Sequence, residues 1–206
     1  MKVLIIIPAY NEQENIINTV SKVLDYKTEC DFQLDYVVIN DGSKDNTYDI
    51  CRKNNIRCVN LIQNLGIGGA VQTGYKLANM QDYDIAIQFD GDGQHDINSL
   101  KSLIAPIVNG TADFTVGSRF IGDGVSFQST AMRRFGIKIL SFTLKLFAKV
   151  NISDCTSGYR AASREVLKIL ADDYPIDFPE PESLVHIAKA GYRIEEVPVN
   201  MFDRQG

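Results

Sequence analysis

A chain of 206 residues, 45% hydrophobic and 23% charged, suffices for one globular domain with a sizeable core. Its net charge of −5 argues against a general nucleic-acid binder, and no run of about 18 apolar residues is present to span a membrane. Four scattered cysteines (Cys30, Cys51, Cys58, Cys155) lack metal-ligand spacing and read as reduced thiols. With no signal peptide ahead of the first strand pattern, the expected location is cytoplasmic, at the inner face of the cell membrane if lipid is involved.

Residues 2–7 form an apolar run suited to a strand buried on both faces of a parallel sheet, and Pro8 is expected to end it. Asn11 and Glu14 have capping-box spacing. Ile16, Ile17, Val20, Val23 and Leu24 then recur at helical spacing, which makes Pro8-Ala9-Tyr10-Asn11 a strand-to-helix loop. A second strand, 36–40, ends at Asp41-Gly42-Ser43, and Ser43 or Asp45 is placed to cap a helix to Asn54. A third strand spans 56–61, and Gly66-Ile67-Gly68-Gly69-Ala70 opens a helix through Met80. A fourth strand, 85–89, runs into Asp90-Gly91-Asp92-Gly93-Gln94-His95.

Beyond it the pattern predicts a helix over 97–108 and a strand over 114–117 leading into Ser118-Arg119-Phe120. A polar, glycine-rich loop (121–132) and a helix (133–150) follow, then a loop over 154–160 and a helical stretch over 166–170. A proline-rich turn (175–181), a helix (182–190) and a last strand (192–199) complete the chain. Successive strand-helix units imply a mostly parallel sheet with right-handed crossovers. Ligands of such sheets sit beyond the carboxyl ends of the strands. Pro8, Tyr10, Glu12, Asp41, Asp90 and Asp92 all fall there.

Asp90 and Asp92 are suited to a hard divalent cation, Mg²⁺ or Mn²⁺, that neutralises a diphosphate. The alternatives are a solvated acidic turn and a calcium loop, and the calcium loop lacks its glutamate. Asp92 is the expected primary ligand. Asp90 reaches the metal through water or holds a ribose, and Gln94 completes the shell. His95 is more simply structural. Asp41 either accepts hydrogen bonds from a base or ribose, or caps the following helix. The Gly66-Ile67-Gly68-Gly69 turn matches a dinucleotide fingerprint weakly, because Val71 replaces its third glycine. Arg134, Lys138, Lys145 and Lys149 share one helix face, either a solvated one or one turned to an anionic membrane or lipid phosphate.

Five motifs in order carry a family resemblance: Pro8-Ala9-Tyr10-Asn11-Glu12, Asn40-Asp41-Gly42-Ser43, Asn64-Leu65-Gly66, Asp90-Gly91-Asp92-Gly93-Gln94 and Thr156-Ser157-Gly158-Tyr159-Arg160. Together they resemble a family 2 glycosyltransferase, nearest to the dolichol- or polyprenyl-phosphate mannosyltransferase-like branch with its bacterial members. The resemblance implies an α/β GT-A fold, a Rossmann-like three-layer sandwich with helices on both faces of a mostly parallel sheet. It implies one domain over 1–206, with 1–95 taking the nucleotide and 96–206 the acceptor. A C-terminal membrane region of the branch is absent from this sequence.

Carried over by position, the resemblance puts Pro8, Ala9, Tyr10, Glu12, Asp41, Asp90 and Gly91 at the nucleotide sugar, with Arg204 at its phosphates. Asp90, Asp92 and Gln94 take the metal. Arg133 or Arg134 takes the acceptor. Glu180 and Glu182 stand where relatives place a catalytic acid, although Pro181 replaces the acid usually beside it, and Asp154 is their rival. Glu180 and Glu182 otherwise simply favour a helix N-terminus. A lipid-phosphate acceptor, already ionised, has less need of a base than a hydroxyl.

The expected activity is inverting transfer of a sugar from a UDP- or GDP-linked donor to a polyprenyl phosphate or a growing cell-surface glycan. Expected partners include a membrane surface, met through the 133–150 helix, and a second copy in a homodimer. Two rival readings are a non-catalytic nucleotide-sugar-binding partner of a membrane protein and a sugar nucleotidyltransferase. The latter needs a glycine-rich, basic first loop, and residues 8–13 contain neither a glycine nor a basic residue.

Overall fold

The computed structural model describes residues 1–121 and 131–202; the side chains of residues 131–135 also lie outside the described set. The first half alternates strand and helix: β1 (Lys2–Ala9), α1 (Ile16–Lys27), β2 (Gln33–Asn40), α2 (Thr47–Lys53), β3 (Cys58–Asn60), α3 (Gly66–Met80) and β4 (Ile85–Gln88). A 3-10 turn (Ile97–Ser99), α4 (Leu100–Val108) and β5 (Phe114–Ser118) follow. Then come α5 (Ala131–Ala148), β6 (Arg160–Ser163), α6 (Arg164–Asp172), α7 (Pro179–Lys189) and β7 (Ile194–Pro198). The strands described form one sheet in the order β3-β2-β1-β4-β6-β5-β7. Its pairs are parallel except where β6 meets β4 and β5.

Alternation along β1 divides the core into two layers. Leu4 and Ile6 face a cluster built with α3, α6 and α7, including Val71, Tyr75, Leu167 and Leu184. Val3, Ile5 and Ile7 face the opposite cluster with α1 and α4, including Val20, Val23, Leu100 and Leu103. Each such fully buried aliphatic side chain contributes roughly 1.5–3 kcal/mol. Helices thus cover both faces of a mostly parallel sheet, the GT-A three-layer arrangement. All four cysteines are free thiols, and among the described residues no helix is long and apolar enough to cross a membrane.

Several elements differ from the sequence reading. Pro8 does not end β1. Ile6 accepts from Phe89 on the β4 side and Ala9 from Asp41 on the β2 side, so Pro8 shares the orientation of Ile6. The donor it lacks falls where β4 has already ended, and the ladder loses nothing. Asn11 does not cap α1. It sits at φ 58, and its Oδ1 accepts from the Lys44 amide at 2.8 Å. β6 occupies the end of what reads as a loop over 154–160, and continues beyond it. α7 begins at Pro179 rather than at 182, because proline suits the first helical turn, whose N–H groups have no partner within the helix. Lys149 lies beyond α5 at φ 57, so it leaves the basic face it was expected to share.

Candidate active site

β1, β2 and β4 run parallel, so the loops after Ala9, Asn40 and Gln88 meet on one edge of the sheet. Hydrogen bonds lock these loops together. The Asn11 amide donates to Ser43 Oγ at 2.9 Å and the Glu12 amide to Thr47 Oγ1 at 2.9 Å. Asp41 is buried, and its Oδ1 accepts from the Leu65 amide at 2.7 Å. Its carboxylate therefore anchors the approach to α3, and the alternative role of capping α2 does not hold.

Between these loops lies a cleft of about 450 Å³, lined by Pro8, Ala9, Tyr10, Glu12, Asp41, Asn64, Gly66, Ile67, Ala70, Asp90, Gly91 and Asp92. Every nucleotide-side residue of the sequence reading within the described set borders this one cavity. Arg204 lies outside that set. Tyr10 is exposed at the mouth, and Glu12 is buried at its back.

The acidic turn is held from behind. The Asp90 amide donates to His95 Nδ1 at 3.0 Å, and His95 Nε2 stands 3.5 Å from Asp90 Oδ2. Gln88 Nε2 donates to Asp90 Oδ1 at 3.3 Å. Because Nδ1 accepts, the ring proton resides on Nε2, facing the carboxylate. His95 is fully buried, which pulls its pKa down to about 4. Its ring stacks on Tyr159 with centroids 4.6 Å apart and meets Phe89 edge-on. It is a neutral imidazole with both nitrogens turned to Asp90, the structural role expected of it. Asp92 Oδ1 accepts from the Gln94 amide at 3.1 Å, and Gly93 at φ 77 supplies the turn between them.

Among the described residues no group of three or more His, Cys, Asp or Glu side chains is gathered as a metal site. Two carboxylates facing the cleft nevertheless fit a hard cation that takes its remaining oxygens from a diphosphate and water. Gln94 does not line the cleft.

The three acids read as base candidates are separated. Glu182 is exposed on the first turn of α7. Glu180 is half-buried. Burial pushes its carboxyl up, the Arg160 guanidinium pulls it down, and the charge of Asp90 raises it again. Asp154 is fully buried and receives the fork of Arg119, with Nε to Oδ2 at 2.7 Å and Nη2 to Oδ1 at 2.6 Å. Arg133 and Arg134 stand in the first turns of α5, and their side chains are outside the described set. The sequence reading missed Arg119, whose position directly after β5 was the available signal, and the work done by Tyr159 and Arg160.

Residues 4–170 match the model of Glycosyl transferase family 2. The chain is 33% identical, over 95% of its length and 83% of the relative's, to a UDP-N-acetylglucosamine–dolichyl-phosphate N-acetylglucosaminyltransferase of Methanococcus voltae. It is 28% identical to an undecaprenyl-phosphate mannosyltransferase of Micrococcus luteus, covering 100% of this chain and 85% of that one. Among solved structures it superposes on glucosyl-3-phosphoglycerate synthase from Mycobacterium tuberculosis in complex with Mn²⁺, UDP-glucose and phosphoglyceric acid. There the TM-score is 0.74 and the identity 17%, covering 100% of this chain and 72% of that one.

Proposed function

We propose that this chain, which belongs to glycosyl transferase family 2, moves a sugar from a nucleoside-diphosphate donor to a polyprenyl-type lipid phosphate with inversion at the anomeric carbon. One observation carries the reading: the Asp90–Asp92 turn borders the same cleft as Pro8, Tyr10, Glu12 and Asp41. A nucleoside and a diphosphate joined to it need those two chemistries side by side. The lipid-phosphate acceptor draws support from the two curated relatives, whose names specify dolichyl and undecaprenyl phosphate.

In this reading Pro8, Ala9, Tyr10, Glu12 and Asp41 hold the nucleoside, and Asp90 with Gly91 borders the ribose and diphosphate. Asp90 and Asp92 would hold Mg²⁺ or Mn²⁺, which when bound acts as a Lewis acid toward the leaving diphosphate, while Gln94, outside the cleft, orients Asp92 through its backbone amide. Arg133 or Arg134 meets the acceptor phosphate, and Arg204 the donor phosphates. An acceptor oxygen forms its bond to the anomeric carbon while the bond from that carbon to the diphosphate breaks. The bonding pair leaves with the nucleoside diphosphate. Because the attacking phosphate is already ionised, Glu180 has an orienting task more than a proton to remove. Of the three acids it fits best, since Glu182 points to solvent and Asp154 is committed to Arg119.

The test is a thermal-shift screen of UDP- and GDP-sugars with and without Mn²⁺. A donor at about 100 times its Kd should stabilise the fold by roughly 2.7 kcal/mol, and radiolabelled sugar should then appear on polyprenyl phosphate. Stabilisation by no nucleotide sugar overturns the reading. Binding without transfer to any acceptor favours a non-catalytic binding partner instead.

The same reading places a membrane against α5. Ile137 and Leu144 are buried inward, while Ile139, Phe142, Leu146 and Phe147 are exposed outward beside exposed Lys138 and Lys145. An outward apolar stripe with flanking cations suits the interface of an anionic bilayer. The double change Lys138→Gln, Lys145→Gln should weaken co-sedimentation with phosphatidylserine vesicles about 30-fold, from about 1 kcal/mol for each lysine. Equal sedimentation of both proteins would rule out this surface.

A further inference from the structure

The transfer reading gives no chemistry to Thr156-Ser157-Gly158-Tyr159-Arg160. The segment runs into β6, where Arg160 pairs with Gln88 of β4 and Val116 of β5. Three consecutive residues then reach two different parts of the site. Gly158 lies against the acidic turn, where a Cβ would stand 2.6 Å from Asp90 Oδ2 and 3.1 Å from Gln88 Nε2. Only a residue without a side chain lets the Asp90 carboxylate sit there. Tyr159 stacks on His95, and its hydroxyl donates to the Asp96 carbonyl at 3.2 Å. His95 in turn receives the Asp90 amide.

Arg160 reaches the other way. Its side chain is fully buried. Nη1 donates to the Glu180 carbonyl at 2.6 Å and to Ser183 Oγ at 2.9 Å. Nε donates to the Ser157 carbonyl at 2.6 Å, and Nη2 to the Cys155 carbonyl at 3.0 Å. Every one of these acceptors is neutral. A buried guanidinium without a bonded carboxylate is costly. A cation placed only to stabilise the fold would be expected to pair as Arg119 does with Asp154. Arg160 instead spends its donors on the first turn of α7 and on the loop that carries Gly158, and its charge acts at longer range on Glu180.

We infer that Gly158, Tyr159 and Arg160 form one brace that fixes the Asp90 turn and the Glu180 turn of α7 relative to each other, with Arg160 as its positioning residue. The inference rests on the transfer reading for its effect on turnover. Its geometry is independent of that reading.

The experiment compares the full chain with Arg160→Met, Arg160→Lys and Ser183→Ala by steady-state kinetics and amide hydrogen exchange. Arg160→Met should lower kcat about 100-fold, as loss of alignment does, with the donor KM changed by less than about threefold. Arg160→Lys should recover part of that loss. Exchange should rise in residues 90–96 and 179–184 together, while the α3 segment 66–80 keeps wild-type protection. Exchange that rises equally in all three segments, or in none, overturns the brace. If Arg160→Met does not fold, Ser183→Ala decides. It removes one acceptor and should raise exchange in the same two segments about fivefold, the worth of one hydrogen bond; no rise there overturns the inference. A wild type that transfers no sugar refutes the transfer reading alone, because the exchange pattern still tests the brace.

Discussion

Asp92→Ala should lower sugar transfer by about 10²–10³-fold, the usual loss when one electrostatic stabiliser of a leaving group is removed. It should also abolish the Mn²⁺-dependent part of the nucleotide-sugar thermal shift. The fold itself should be little affected. Asp92 is partly exposed, and the hydrogen bond its Oδ1 accepts from the Gln94 amide is worth about 1 kcal/mol. The unliganded melting temperature of the variant should therefore stay near that of the wild type. The assignment fails if the metal-dependent shift survives in Asp92→Ala, or if activity falls only because the protein melts early.

Asp154→Ala should have the opposite profile, a large loss of stability. The change takes from the Arg119 guanidinium, itself buried, the carboxylate that receives its fork at 2.6 and 2.7 Å. Breaking a buried pair by removing one partner costs about 3–5 kcal/mol. For a chain of this size that corresponds to roughly 10 °C in melting temperature. The double change Arg119→Met, Asp154→Ala should recover part of the loss, since it also removes the buried cation that lost its carboxylate. Urea titrations of the three variants measure both effects. If Asp154→Ala instead keeps wild-type stability and loses turnover, Asp154 returns as a base candidate and Glu180 loses its advantage.

These two aspartates show what could be read from residue order and what could not. The acidic turn was legible because it follows a short apolar run bounded by glycines and acids, and because β1 is a similar run followed by the clear helical spacing of α1. Whether Asp154 is committed was not legible. Its partner lies 35 residues earlier, at the end of a strand that meets it only in the folded sheet. That strand was itself hidden, for Arg160-Ala161-Ala162-Ser163 has little β propensity, and its strand geometry is imposed by β4 and β5 on either side. Pro8 misled for a related reason. Its effect on a ladder depends on which neighbour the missing N–H would have faced, and the pairing decides that, not the residue. The boundary of α7 followed the same rule, as prolines that look like a turn are also residues that start a helix.

The position of β6 also bears on how the chain is made. β1 to β4 are neighbours in the sheet as well as in sequence, and β4 joins the remaining strands only through β6. A nascent chain can therefore pair its first four strands with one another while everything after the acidic turn is still being synthesised. During that interval the outer rim of β4, whose residues are all buried in the finished protein, offers its unpaired amides and carbonyls to any passing strand. The antiparallel strand that carries Arg160 closes that rim. The segment that braces the site is thus also the one that covers an edge open to mispairing.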